Sequence, residues 1–240
     1  MGIIENFVSD TEKFTLDGVS SDSLGLFCDY LPPMPMAEQK YSEYNIGEDE
    51  TLVTPDEVFN NISYSIRFYT FLAEDYNDAA IKAFCAGKST LTLSRFPGYY
   101  FKIRRISLQA FDGSGYGKRI DYVLTLTLAP FRYVVDNPQI TLEADEDIIN
   151  EHSRYSKPEF EITGTDDITL TVNGSTFSVE GLTLSQTIII DSVRHITYSG
   201  STLLTGKTSG KYPLLNVGGN TISWTGNITS IKYKGNWRDY

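Results

Sequence analysis

The sequence predicts a mainly β protein in two parts, the first carrying a single helix and the second a sandwich or barrel of short strands. Three observations point there. Apolar and polar residues alternate with a period of two over many short windows, as half-buried strands require. Turn signals such as Asn173-Gly174 and Ser199-Gly200 recur between those windows in the second part. The aromatic content, 16 Tyr, 13 Phe and 2 Trp, suits side chains that pack on a pleated surface. At 240 residues, 40% hydrophobic and 21% charged, the chain has globular values and room for one large or two medium domains.

Phe14-Thr15-Leu16 reads as a short strand entering a turn at Asp17-Gly18, and residues 24–30 as a second strand. Pro32, Pro33 and Pro35 follow, where missing N–H groups bar central ladder pairing. Residues 37–60 are polar, acidic and without clear period. A run of that length without its own elements is either disordered or an interaction arm, and an arm that wraps a neighbour is the expectation taken. Ile62, Tyr64, Ile66 and Phe68 alternate with Ser63, Ser65, Arg67 and Tyr69, a strand with one buried face. Residues 74–86 form the predicted helix. Acids crowd its first turn, Ala80, Ile81, Phe84 and Cys85 make its apolar stripe, and Gly87 stands where a helix stop belongs.

A strand over 90–95 comes next, then a hairpin. Residues 100–110 run out, a Gly-rich turn at 112–117 reverses them, and 119–129 return with Tyr122, Leu124, Leu126 and Leu128 on one face. Residues 130–138 read as a linker, which places the boundary near Asp136 and gives domains 1–136 and 137–240. In the second domain about seven short strands are predicted: 139–142, 159–163, 168–172, 176–179, 187–190, 195–198 and a closing hairpin. That hairpin begins at 218–224, where Asn220, Ile222 and Trp224 alternate with Thr221 and Ser223. Gly226-Asn227 is its predicted two-residue turn, and Ile231 and Tyr233 lie on the return.

Charge is segregated. Residues 1–57 hold thirteen carboxylates against Lys13 and Lys40, which is the whole of the net −11; the remaining residues balance. Such a chain lacks the basic stripe that grips phosphate, which disfavours specific nucleic-acid binding but leaves open contact with DNA that slides past without sticking. Cys28 and Cys85 are too few for a disulfide framework and read as buried thiols. The N-terminal residues show no basic region followed by an apolar run, and no stretch approaches membrane-spanning length.

Catalytic patterns are not evident. His152 and His195 sit in no metal-binding spacing, and no Gly-x-Ser-x-Gly elbow exists. The glycines at 113, 115 and 117 lack a following Lys-Ser/Thr and a helix, so they make a poor phosphate loop. The acidic runs at 143–147 and 166–167 read as solvated loops rather than Ca²⁺ sites. No catalytic, cofactor or metal residue is assigned, and the chain reads as a non-enzyme. Lys102, Arg104 and Arg105 cluster on the outgoing hairpin strand, with Lys118 and Arg119 beside its turn. Two readings stay open: a charged edge strand that resists aggregation, or a docking surface for an acidic segment of a neighbouring copy, with Glu48, Asp49 and Glu50 in that segment.

Several motifs together resemble the distal tail proteins of siphophages. Phe14 through Ser21 with Leu24-Gly25-Leu26 is similar to that family's opening. Residues 157–164, then Leu170-Thr171-Val172-Asn173-Gly174, then Ile188-Ile189-Ile190-Asp191 are similar to signatures of its second half. The end, Tyr212-Pro213-Leu214 with Gly218, Asn220, Ile222 and the final Trp237-Arg238, is similar to its closing segment. Residues 38–57 depart from the pattern, being acidic where the family often has a basic, Gly-containing stretch.

The resemblance implies an N-terminal split barrel or sandwich with an added helix, and a galectin-like C-terminal sandwich. It implies a homohexameric ring at the virion tail tip, assembled in the host cytoplasm, that joins the tube to the receptor-binding apparatus. The expected partners are further copies of the chain, the major tail tube protein, the tail-associated lysin or tip protein and a receptor-binding protein. DNA would be met only in passage, and no membrane is involved. The alternative is a carbohydrate-binding module, with Trp224, Trp237 or Tyr233 stacking on a sugar and His195 and Arg194 nearby.

Overall fold

The computed structural model describes residues 12–45, 51–72, 76–112, 119–144 and 146–240. The chain divides into two compact units, Met1–Arg132 with Tyr240, and Tyr133–Asp239. Both are mainly β, and one α-helix is present among the described residues.

Unit 1 contains β1 (Phe14–Leu16), β2 (Val19–Ser20), β3 (Phe27–Tyr30), β4 (Gln39–Asn45), β5 (Thr51–Phe59), β6 (Ile62–Phe71), α1 (Asp78–Cys85), β7 (Thr90–Leu93) and β8 (Tyr99–Asp112). It also holds most of β9 (Arg119–Val134). Its large sheet runs β2-β1-β7-β8-β9-β6-β3, while β4 and β5 pair only with each other. The predicted alternation positions the core. Ile62, Tyr64, Ile66 and Phe68 on β6 face Leu128, Leu126, Leu124 and Tyr122 on β9, pair by pair, and all eight are buried. Phe14 bridges this ladder to the helix, its ring 5.3 Å from Phe68 and 5.9 Å from Phe84.

Local chemistry sets the element ends. Asp17 (φ 45°) and Gly18 (φ 82°) make the two-residue turn joining β1 to β2, which needs positive φ at both positions. The helix starts later than residue 74, because the Asn77 carboxamide accepts the Ala80 N–H at 3.0 Å and caps the first turn. The strand expected from residue 24 begins at Phe27. A 3₁₀ turn, Ser21–Leu24, precedes it and closes through Gly25, φ 61°.

Two expectations are corrected in unit 1. Residues 37–60 are not without elements: β4 and β5 form a two-stranded ladder, with Tyr41 opposite Pro55 and Tyr44 opposite Leu52. Thr51, Val53, Thr54 and Val58 supply β-branched residues, and the outer edge of a two-stranded ribbon tolerates Pro55. The linker predicted over 130–138 is strand through Val134. Pro130 fits because β6 stops opposite Leu128, so the strand has already lost that neighbour.

Unit 2 contains β10 (Ile140–Thr141), β11 (Ile148–Asn150), β12 (Glu159–Val172), β13 (Ser175–Asp191), β14 (Ile196–Ser199), β15 (Thr202–Leu203), β16 (Thr208–Gly210), β17 (Gly218–Asn220), β18 (Ile222–Lys234) and β19 (Arg238–Asp239). The main sheet runs β10-β18-β12-β13-β14-β15, with β16 also on β13, and β11 pairs β17. Strands predicted as separate short pieces are continuous. Residues 159–163 and 168–172 are one strand, and 176–179 and 187–190 are another. The register of β12 slips at the same level against both neighbours, between Gly164 and Ile168 toward β13 and between Thr163 and Thr169 toward β18. Residues on either side of the slip, Phe160, Ile162, Ile188 and Ile231 on one and Leu170, Val172, Phe177 and Ile222 on the other, share one buried cluster. The sheet therefore bends across its bulges and closes over its own core, as strands that switch layers do.

Gly226-Asn227 is not a turn. It lies inside β18, which runs unbroken past it. Gly226 has φ 101°, and a Cβ there would meet the Asp167 carbonyl oxygen at 2.3 Å. The glycine serves a bulge and a close backbone approach instead of a reversal. The predicted turns at Asn173-Gly174 and Ser199-Gly200 are present, closed by Val172 opposite Ser175 and by Ser199 opposite Thr202.

Candidate functional site

The predicted basic cluster is divided by the hairpin that carries it. Thr90 of β7 lies opposite Lys102, and the Ile103 N–H donates to the Ser89 carbonyl at 2.7 Å. β7 begins there, so β8 continues beyond Ile103 without it. Arg104 and Arg105 lie just past that point and both are exposed. Phe101 and Ile103 pack on the core before them, Ile106 and Leu108 after them. The inward set changes from odd to even positions, the phase change that one extra residue in a strand produces. Two guanidiniums are thereby turned outward at adjacent positions.

Arg119 belongs to a different place. From Arg104, β8 runs eight more residues to Asp112, about 26 Å of strand, and Arg119 opens the next strand, β9. The Arg119 Nε donates to Asp121 Oδ1 at 2.7 Å, and its guanidinium lies 3.8 Å over the Tyr69 ring. It is held by its own sheet. Lys118, Glu48, Asp49 and Glu50 lie outside the described residues.

A feature that strand spacing alone did not isolate lies around Arg119. On the face of β6 away from the core, the order Ser63, Ser65, Arg67, Tyr69, Phe71 changes from hydroxyl to aromatic. Phe27 of β3 stacks on Tyr69 at 5.4 Å and meets Phe71 at 6.0 Å, and Tyr69 meets Phe71 edge-on at 5.5 Å. Phe71 and Phe111 are each half exposed. Arg67, Phe111, Arg119 and Asp121 line a groove of 410 Å³ here. A second groove, of 670 Å³, lies between Arg67, Tyr30 and the proline run. Its wall is fixed by the buried Tyr64, which donates its hydroxyl to the Pro32 carbonyl at 2.8 Å. Burial holds that phenol un-ionised, raising its pKa to about 12. Aromatic rings beside guanidiniums at a sheet face suit recognition of a protein surface carrying carboxylates and apolar side chains. The visible signal in sequence was the pair Tyr69 and Phe71 on the nominally polar face.

Of the side chains considered for sugar stacking, one belongs to the core of unit 2 and two pack against it. Tyr233 is buried and packs 6.3 Å from Phe160; Trp224 and Trp237 pack against the same cluster. The Trp237 ring also stacks on His152, 5.8 Å away. His195 stacks on Tyr212 at 5.1 Å, and Arg194 lies 3.7 Å from Asp191. Tyr233 is therefore committed to the interior of the unit, while Trp224 and Trp237 stay partly exposed.

One constellation has the residue types of a hydrolytic triad. His152 Nδ1 lies 3.0 Å from Asp239 Oδ2, and the Ser153 hydroxyl donates to Asp239 Oδ1 at 2.8 Å. Serine and histidine here both bind the carboxylate, whereas a triad needs the serine proton directed at the imidazole. The cluster ties the chain end to residues 152–153. Among the described residues, no group of three or more His, Cys, Asp or Glu side chains is placed to hold a metal.

No protein-family profile matches the chain. No curated protein matches it in sequence. Among solved structures it is similar to the Dit (gp 19.1) protein of phage SPP1, described as a paradigm of the hub adsorption apparatus in phages that infect Gram-positive hosts. The two share 10% identity at a TM-score of 0.66, over 92% of this chain and 98% of the other. At that identity the likeness is one of fold.

Proposed function

We propose that the chain is a structural protein of a phage tail, a distal hub that forms a homohexameric ring at the tail tip. The observation that carries this reading is the fold likeness to SPP1 Dit, which extends over nearly the full length of both chains. Unit 1 would form the ring and meet the tail tube. Unit 2, read as a galectin-like sandwich, would face outward toward a receptor-binding protein, with the lysin or tip protein docked at the ring. DNA would cross the lumen, where acidic surface from residues 1–57 discourages trapping.

The candidate surface fits this role as an interface between copies. Arg104 and Arg105 stand exposed on β8, and the acidic stretch 38–57 of a neighbouring copy would be their complement. An acidic segment reaching from one copy to the next would give a head-to-tail contact, and such contacts close into rings.

Light scattering on a sizing column tests the reading. Six copies of 26.9 kDa give about 161 kDa. A hexamer with visible rings in negative stain is expected. A species that stays at 26.9 kDa, both alone and when mixed with tail tubes, would sink the proposal.

A further inference from the structure

The turn between β12 and β13 carries the sole Asn-Gly dipeptide of the chain, Asn173-Gly174. This pairing is the most prone of the Asn dipeptides to lose its side-chain amide, because the glycine nitrogen reaches the carboxamide carbon unhindered. In that reaction the Gly174 amide nitrogen gives up its proton to solvent base and bonds to Asn173 Cγ. The Cγ–Nδ2 bond breaks and ammonia leaves with a proton from water. Water then opens the five-membered imide, leaving aspartate or isoaspartate, with no oxidant or reductant needed.

The fold commits that carboxamide elsewhere. Asn173 Nδ2 donates to Asn220 Oδ1 at 2.7 Å, and Asn173 Oδ1 accepts the Thr221 N–H at 3.1 Å. The Asn173 N–H adds a bond to the Thr221 carbonyl at 3.0 Å. Both ends of the side chain therefore reach across to the segment entering β18, not along the chain to Gly174. Yet the dipeptide itself is exposed, and both φ values, 50° and 77°, are positive. The reactive groups are exposed, and these bonds restrain the carboxamide.

The partner of that latch is unusually consequential. Asn220 is fully buried. Its Nδ2 lies within bonding distance of the Ile148, Asn216 and Gly218 carbonyls, and its Oδ1 also accepts the Asn216 N–H at 2.6 Å. It joins β11, β17 and the loop that precedes β17. An aspartate at 173 would set a carboxylate oxygen against Asn220 Oδ1, acceptor facing acceptor, inside that network.

We propose that Asn173-Gly174 is a latent deamidation site that the native hydrogen bonds to Asn220 and Thr221 keep closed, and that its conversion unlatches the Asn220 network. The full-length protein is incubated at mildly alkaline pH, with and without urea, and the mass of the peptide spanning Asn173 is followed. Native protein is expected to convert at least about tenfold more slowly than unfolded protein, because reaction must await local opening. Conversion at the same rate in both states would overturn the protection. A second comparison isolates the consequence: N173D is expected to melt below N173G, since glycine keeps the turn and merely deletes the side chain. An N173D melting point equal to or above that of N173G would overturn the unlatching.

Discussion

Tyr122 and Phe68 lie face to face across the β6–β9 ladder, ring centroids 5.2 Å apart and planes 11° from parallel. The Tyr122 hydroxyl meets that of Tyr76 at 3.0 Å. The pair therefore couples sheet packing to the segment that leads into α1. Tyr122→Ala is expected to lower stability by about 3–5 kcal/mol, the range for deleting a buried ring, whereas Tyr122→Phe should lose about 1 kcal/mol for the hydroxyl contact alone. Urea titration of both variants checks this; equal losses would mean the ring stack contributes nothing of its own.

Gly226 should not tolerate a side chain. Its φ is 101°, and the Asp167 carbonyl oxygen lies 2.3 Å from where a methyl carbon would sit, which leaves no room. Gly226→Ala is expected to destabilise unit 2 by at least about 2 kcal/mol. Gly219→Ala, with nothing within 4 Å of the added carbon, should stay within about 1 kcal/mol of the parent. Comparable melting of the two variants would contradict the bulge.

Acid should weaken unit 1 through Asp17. Burial opposes its ionised form, but hydrogen bonds from the Thr90 and Ser89 side chains and N–H groups outweigh this and hold its pKa below the ordinary 3.8. A carboxylate depressed in the folded state stabilises fully above its ordinary pKa and loses that contribution as pH falls through the folded value. The window is thus below about pH 4. Asp17→Asn, which also accepts positive φ, should be less stable than the parent at neutral pH and converge with it in acid. Parallel stability profiles across that window would rule the linkage out.

Arg104 and Arg119 should behave oppositely. A double R104E/R105E variant is expected to fold with stability within about 0.5 kcal/mol of the parent, both side chains being exposed, yet to fail in ring formation on a sizing column. Arg119→Ala should instead lose about 1 kcal/mol of stability with its Tyr69 and Asp121 contacts. Intact rings from the double variant would remove the β8 edge from the interface.

The faces of β6 and β9 were legible because period two survives wherever one side of a sheet is buried. Asn173-Gly174 and Ser199-Gly200 were legible as turns for a related reason: the residues around them alternate up to the reversal and resume after it. Gly226-Asn227 carries the same local signal, but positive φ serves a bulge as well as a turn, and only the approach of Asp167 decides between them. The β4–β5 ribbon was hidden because its strands carry charge where a core strand would carry leucine. At the candidate site, Arg104 and Arg105 stood out as adjacent cations. Their separation from Arg119 depends on the length of β8, and the stack of Phe27 on Tyr69 depends on a pairing between segments some forty residues apart in sequence.

The bent strands of unit 2 also determine how it would carry load. β12, β13 and β18 each pass through both layers, so traction along any one is shared by ladder bonds on both sides of the bend at once. Such a unit resists being unzipped strand by strand and gives way by shear across many bonds together, at a rate set by its unfolding barrier. Unit 2 would thereby be stiff along β18 and comparatively weak where β11 and β17 are peeled away.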